Sequence, residues 1–447
     1  MPTSLTHGMS RRHFSRVGAA GLLGVGGMAA AGCGAAPSEP VSQQTVEPVG
    51  IEYWSGHTGT TAAAQTELVK RFNAEQRNVQ ATEVFQGSYG DIQKKLTAAM
   101  AGGSSPDAFL MTEQWRHLWL NNMLSPLDTY VKQTKLDVGD FFPPLYNEGI
   151  RNGKLWWVST TRSTPLFYYN KLAWREVGLP DRAPETWTEF IQWGGKLQKR
   201  EGDRIARYAF QTRASAFIFA SYIRQFGGRY SDDALKITLA EKPGVDAGQF
   251  FGDLIHKQQL VRYVAESGLE ADAALFSSGQ SASLVISTSQ LAAIQQAAPF
   301  PVGAGFLPKM MQTGVALGGS GMAVPKAVPD KRAAAAFDWI RFVTSKPSTT
   351  YWAQKTGYIP VRKSAAQSPE MQAFYAENPA FKVAVDQMPR ALQCDAAYAM
   401  GNLNPIIETA LRGVFVDNKP AAVAFRDAVT PMEAEVAPYV PLLRAMK

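Results

Sequence analysis

Two periods alternate along the chain. Gly50–Trp54 ("GIEYW") and Val79–Phe85 ("VQATEVF") carry the spacing of strands, and Asp107–Met111 ("DAFLM") is a short apolar run. Between them Leu68, Val69 and Phe72 recur at helical spacing within Ala62–Glu75, and Asp91–Met100 predicts a second helix. This β-α-β-α-β order implies a mostly parallel sheet with helices on both faces. Ligands of such sheets sit beyond the carboxyl ends of the strands. Those ends carry Ser55-Gly56-His57, Gly87-Ser88-Tyr89 and Thr112-Glu113-Gln114.

A second α/β series follows. Its predicted strands are Pro165–Asn170, Ser281–Thr288 and the stretch "VGAGFLP" (Val302–Pro308). Its predicted helices are Trp187–Lys199, Ala216–Phe226, Asp246–Gln258 and Gln290–Gln296. Gly314–Pro325 ("GVALGGSGMAVP") is rich in glycine, which permits close backbone approach and unusual torsions. Helices are then predicted over Lys331–Thr344, Ser348–Lys355, Met371–Glu377, Pro405–Val416 and Ala421–Val436. At the entrance to the second series, Thr160–Thr164 ("TTRST") sets five polar residues in a row against the apolar "PLFYYN".

Composition adds little to this picture, with one exception. The 447 residues are 45% hydrophobic and 11% aromatic, enough for a sizeable core. Formal net charge is +7; Arg11, Arg12 and Arg16 lie near the N-terminus, which leaves +4 for the remainder. The densest basic run, Lys199 to Arg207, is broken by Glu201 and Asp203, the pattern of a solvated face rather than a nucleic-acid footprint. The exception is the N-terminus. "SRRHFSR" (Ser10–Arg16) is followed by "VGAAGLLGVGGMAAAGC", which reads as a twin-arginine export signal over residues 1–32. Its apolar part is too short and glycine-rich to span a bilayer as a helix. "AAGC" (Ala30–Cys33) resembles a bacterial lipobox, so Cys33 is the expected lipidation site and 33–49 a flexible tether. The other cysteine, Cys394, then has no partner within the chain and reads as a small buried hydrophobe.

Signatures of catalysis are missing. His57, His117 and His256 stand apart from one another, and no HExxH or cysteine–histidine cluster suggests a metal. "GGSGM" places Met322 where a nucleophile elbow needs its last glycine, and "GIRNGKL" has the wrong spacing for a P-loop. No catalytic residue, metal or cofactor is expected. Glycosidase-type carboxylate pairs cannot be read from spacing, so a secreted hydrolase stays open as an alternative. The strand ends offer hydroxyls, amides, glycine backbone and aromatic faces, which suit a polyol or sugar.

Three long runs carry a resemblance. They are "RSTPLFYYNK" (Arg162–Lys171) with "GLPDRAPETWTEF" behind it, "RFNAE" (Arg71–Glu75) and "QKTGYIPVRKSA" (Gln354–Ala365). Through them the chain resembles the extracellular solute-binding proteins of bacterial ABC importers, the group of the maltose-binding proteins. Within that group it is most similar to the glycerol-3-phosphate and glycerophosphocholine-binding proteins. The resemblance implies an α/β fold of two lobes closing on a hinge. Lobe one would be 50–161 plus 322–362, and lobe two 162–321 plus 363–447. It implies ligand contacts from Tyr89 and Glu113 to hydroxyls, and from Ser163, Ser287, Gly319 and Tyr358 to phosphate oxygens. An aromatic pair of the family falls near Ala214 and Phe217, where only Phe217 is aromatic. The family's phosphate-gripping arginine should lie within "GNLNPIIETAL" (Gly401–Leu411), which contains Pro405 to Glu408 and no arginine. Arg162, Arg213 and Arg412 are the cations that could compensate.

The expectation is a monomeric lipoprotein anchored at the outer face of the cytoplasmic membrane. It would capture a glycerol phosphate, a glycerophosphodiester or a neutral sugar for ABC permease subunits.

Overall fold

The computed structural model describes residues 47–265 and 268–445. The twin-arginine stretch, Cys33 and the tether as far as Val46 lie outside the described residues. From Glu47 onward the chain forms one compact unit built on two five-stranded sheets. In chain order the strands are β1 (Val49–Ser55), β2 (Val79–Phe85), β3 (Ala108–Met111), β4 (Val158–Ser163), β5 (Pro165–Asn170), β6 (Phe210–Thr212), β7 (Val261–Tyr263), β8 (Ser283–Ser287), β9 (Val302–Gly305) and β10 (Gly318–Ala323). The first sheet has the order β2-β1-β3-β10-β4 and the second β7-β6-β8-β5-β9.

Neither sheet is mostly parallel, which corrects the expectation from sequence. β1 runs parallel to β2 and β3, and β6 parallel to β7 and β8. β10 is antiparallel to β3 and β4, and β5 antiparallel to β8 and β9. A parallel neighbour needs a long crossover within one sheet. β4 and β5 are instead joined through Thr164 alone and lie in different sheets, so they are not bound by that rule.

Both faces of each sheet are covered, and this explains the short apolar runs. In β3, Ala108 and Leu110 enter one hydrophobic cluster while Phe109 and Met111 enter the other. In β5, Leu166 and Tyr168 divide from Phe167 and Tyr169 in the same way. A strand buried on both sides needs no polar face. Each cluster thus draws on both sheets. In the first cluster Trp187 is fully buried, meets Phe251 and Phe210 edge-on at 5.0 and 5.5 Å, and donates from Nε1 to Gln225 Oε1 at 2.8 Å.

Most predicted helices are found, with shifted ends. They include Gly59–Glu75, Tyr89–Ala101, Trp187–Leu197, Ala216–Gln225, Lys242–His256, Asp330–Val343, Asn404–Phe415 and Ala421–Val436. The strands β4, β6, β7 and β10 were not foreseen: β4 is polar, half of β10 is glycine, and β6 and β7 are three residues each. Helices Leu269–Ser277 and Pro379–Gln387 were also missed. No described helix is long and apolar enough to cross a membrane.

Candidate functional site

A cavity of about 270 Å³ opens where the chain crosses between the sheets. Three segments build its floor: the junction of β4 and β5, strand β10, and the segment after Gly357. Ile359 N donates to Arg162 O at 2.8 Å, so the third segment lies directly on β4. Ser163 is opposite Gly318 in the β4–β10 register. A Cβ on Gly318 would overlap the Phe217 ring, so glycine here keeps the space open. Gly319 has φ of +86°, and a Cβ there would overlap the Thr161 carbonyl oxygen. Gly357 has φ of +92° at the end of helix Lys346–Thr356 and turns Tyr358 inward, where it is 7% exposed.

The remaining groups come from the ends of strands and helices. Tyr89 opens its helix beneath a capping box: Asp91 N donates to Ser88 Oγ at 3.3 Å and Ser88 N to Asp91 Oδ2 at 2.9 Å. Glu113 follows β3, Arg213 follows β6, and Ser287 ends β8. Phe217 lies in the first turn of helix Ala216–Gln225, which Ser215 caps by accepting from Ile218 N.

Hydroxyls connect these pieces across the crossing. Thr161 Oγ1 and Ser320 Oγ share a hydrogen bond at 2.6 Å, and Ser320 Oγ donates to Tyr89 Oη at 3.2 Å. The Tyr358 hydroxyl lies beside those of Tyr89 and Ser289 and interacts with both. Ser289 Oγ donates to Ser287 Oγ at 3.0 Å. Burial holds both tyrosines above the ordinary phenol range, so they remain neutral hydrogen-bonding groups. The row of hydroxyls runs from the first sheet to the second, and where its members are bonded each bond polarises the next.

Charge at the site is sparse. Glu113 is 6% exposed, and burial pushes its carboxyl up to about 7, with Arg162 pulling it back down. Arg213 lines the cavity with its Nε 3.4 Å from Asp272 Oδ2. Glu408 lines it too, and burial raises its carboxyl.

The seven residues expected to contact ligand, Tyr89, Glu113, Ser163, Phe217, Ser287, Gly319 and Tyr358, all line this one cavity, and Arg213 joins them. The other two cations do not line it. Arg162 is fully buried, with Nη2 2.9 Å from Glu148 Oε2 and its guanidinium 5.4 Å from the Trp157 ring centre. Arg412 is exposed on helix Asn404–Phe415 and donates to Thr409 Oγ1 at 3.0 Å. Sequence reasoning missed Ser289, Tyr398 and Asn404 among the lining groups. Ser289 had a signal, two residues after Ser287 at a strand end. Tyr398 and Asn404 had none, since the fold brings them in from the far end of the chain.

Two sheets, a cleft between them and crossover strands at its base define a two-lobed α/β binding protein. The chain belongs to the bacterial extracellular solute-binding proteins, the family that residues 67–383 match. Escherichia coli K12 has a relative named sn-glycerol-3-phosphate-binding periplasmic protein UgpB, 25% identical over 405 residues, covering 85% of this chain and 90% of that protein. The crystal structure of UgpB from Mycobacterium tuberculosis in complex with glycerophosphocholine is 32% identical, covers 87% of this chain and 99% of that one, and superposes with a TM-score of 0.80. The GacH receptor of Streptomyces glaucescens, solved unliganded and with acarbose, shares the fold at 19% identity and a TM-score of 0.76, over 87% of this chain and 99% of its own. The resemblance and fold class expected from sequence are borne out.

Proposed function

We propose that the protein is the substrate-binding lipoprotein of an ABC importer, capturing a glycerophosphodiester or glycerol 3-phosphate for transport. The observation that carries this reading is the set of donors gathered at the crossing: Ser163, Ser287, Ser289 and Tyr358 beside the Gly318-Gly319 backbone, with Tyr89 and Glu113 adjacent. The first four, with the Gly319 N–H, suit phosphate oxygens, and Tyr89 and Glu113 suit glycerol hydroxyls. The similarity to a protein solved with glycerophosphocholine supports the same choice. A second reading, a neutral sugar or oligosaccharide, is favoured by Arg213 being drawn toward Asp272 and Glu408. A phosphate is gripped best by a guanidinium free to offer two parallel N–H groups.

On this reading the lobes follow the sheets and meet near Thr164 and Gly318. That moves the expected boundary at Met322 back to Gly318, because all of β10 pairs in the first sheet. Cys33 carries the lipid, the residues after it form the tether, and the permease partners perform the energised step. The protein acts as a monomer and catalyses nothing.

A thermal-shift panel with glycerol 3-phosphate, glycerophosphocholine, maltose and trehalose tests the ligand. A ligand at 100 times its Kd should stabilise the fold by about 2.7 kcal/mol. Shifts with the neutral sugars alone would sink the phosphate reading. Recovery of the bound compound unchanged after long incubation separates a receptor from a hydrolase. A Cys33→Ala protein that still sediments with membranes would rule out the anchor.

A further inference from the structure

The cavity is unevenly charged, with Glu113 and Glu408 among its lining groups. Helix Asn404–Phe415 builds one side, with Asn404 and Glu408 four residues apart on one face and both lining the cavity. Glu408 Oε1 accepts from the backbone N–H of Ala216 at 3.5 Å, the first residue of helix Ala216–Gln225. The N-terminal N–H groups of a ten-residue helix are where an incoming anion would bind. Here the protein's own carboxylate is in that place. Asn404 lines the same wall with a buried Oδ1, its side chain beside the Tyr398 hydroxyl. The cavity's arginine, Arg213, interacts with Asp272 and with Glu408, so its charge is already matched by carboxylates.

We infer that Asn404 and Glu408 form a selectivity wall that receives hydroxyl or ammonium groups and turns away doubly charged phosphomonoesters. The inference rests on the polar-solute reading above and narrows it. A phosphomonoester carries a charge of about −1.5 to −2 near neutral pH, whereas a diester carries one negative charge and a sugar none. Repulsion by Glu408 scales with that charge and is little screened in a cavity of this size. A diester can turn its esterified alcohol, with its hydroxyls or ammonium, toward the wall and leave its phosphate at the serines.

Isothermal titration of the purified full-length protein with glycerol 3-phosphate and with glycerophosphocholine tests this, in wild type and Glu408→Gln. Glutamine keeps an oxygen for Ala216 N and removes the charge. Wild type should bind the monoester at least tenfold more weakly than the diester. Glu408→Gln should tighten the monoester tenfold or more and the diester less, while Glu408→Asp should keep the discrimination. A monoester affinity within threefold of wild type in Glu408→Gln overturns the inference, including the case in which neither protein binds it. Equal or tighter monoester binding by wild type overturns it too. If wild type binds neither the diester nor a neutral sugar, the ligand reading fails, and the variant's gain or lack of monoester binding still decides the role of Glu408. Melting curves confirm that each variant is folded, and Glu408→Ala carries the same expectation should the glutamine variant not fold.

Discussion

Glu113→Gln should make the protein more stable at neutral pH, and by an amount that depends on pH. The Glu113 carboxyl is held at about 7 in the fold against 4.5 when unperturbed. Burial is the main cause, and Arg162 only partly offsets it. Between these two values the folded protein binds more protons than the unfolded chain. Stability from this group is therefore full below pH 4.5 and lost as pH rises through 7. A shift of this size corresponds to about 3 kcal/mol. Urea unfolding of wild type and Glu113→Gln at pH values from 4 to 8 would measure it. Their difference in unfolding free energy should grow by about 3 kcal/mol across that window and level off above it. A difference that stays flat with pH would refute the claim that Glu113 is kept in a desolvated, incompletely paired state. The same group gives a binding signature. A ligand whose hydroxyls donate to Glu113 favours the ionised form, so binding near pH 7 should release part of a proton. Calorimetry in buffers of different ionisation enthalpy would detect it.

Other substitutions test separate parts of the site. Gly319→Ala puts a Cβ into the Thr161 carbonyl at a positive φ and should destabilise the fold by about 2 kcal/mol or more; a melting temperature equal to wild type would contradict this. Arg162→Met leaves Glu148 buried without its partner and should cost roughly 3–5 kcal/mol. Adding Glu148→Leu should recover much of that loss in chemical denaturation, and no recovery would mean that Arg162 acts through something other than the ion pair. Tyr89→Ala and Ser163→Ala should weaken ligand binding while leaving a cooperative melt. Unchanged affinity in both would remove the hydroxyl cluster from the binding reading.

Legibility from sequence followed burial. β5 was found with its ends, Pro165 and Asn170, because a strand covered on both faces leaves an uninterrupted apolar run. β4 was not, since its Thr160, Thr161, Arg162 and Ser163 look like a loop. The fold buries all four: Thr161, Arg162 and Ser163 pair with β10, Thr160 falls at the irregularity between those pairs, and Arg162 also meets Glu148. β10 escaped for a different reason: Gly318, Gly319 and Gly321 have no side-chain pattern to read. Periodicity marked Tyr89 and Glu113 as lying at strand ends; the other site residues were reached only through the family resemblance. The compensating role expected of Arg162 and Arg412 could not be judged that way. Whether an arginine lies in a cavity, behind its wall or on the outside depends on strand facing and helix rotation, which one sequence does not specify.

The two hydrophobic clusters each take one face from both sheets. Neither lobe therefore owns a complete core that it could keep if the other came apart. Denaturation should follow a single sigmoid, the same by tryptophan fluorescence and by circular dichroism, despite the two-lobed build. On the receptor reading, such interlocked interiors leave opening for a solute to the few strands at the crossing, while cooperativity remains that of one body.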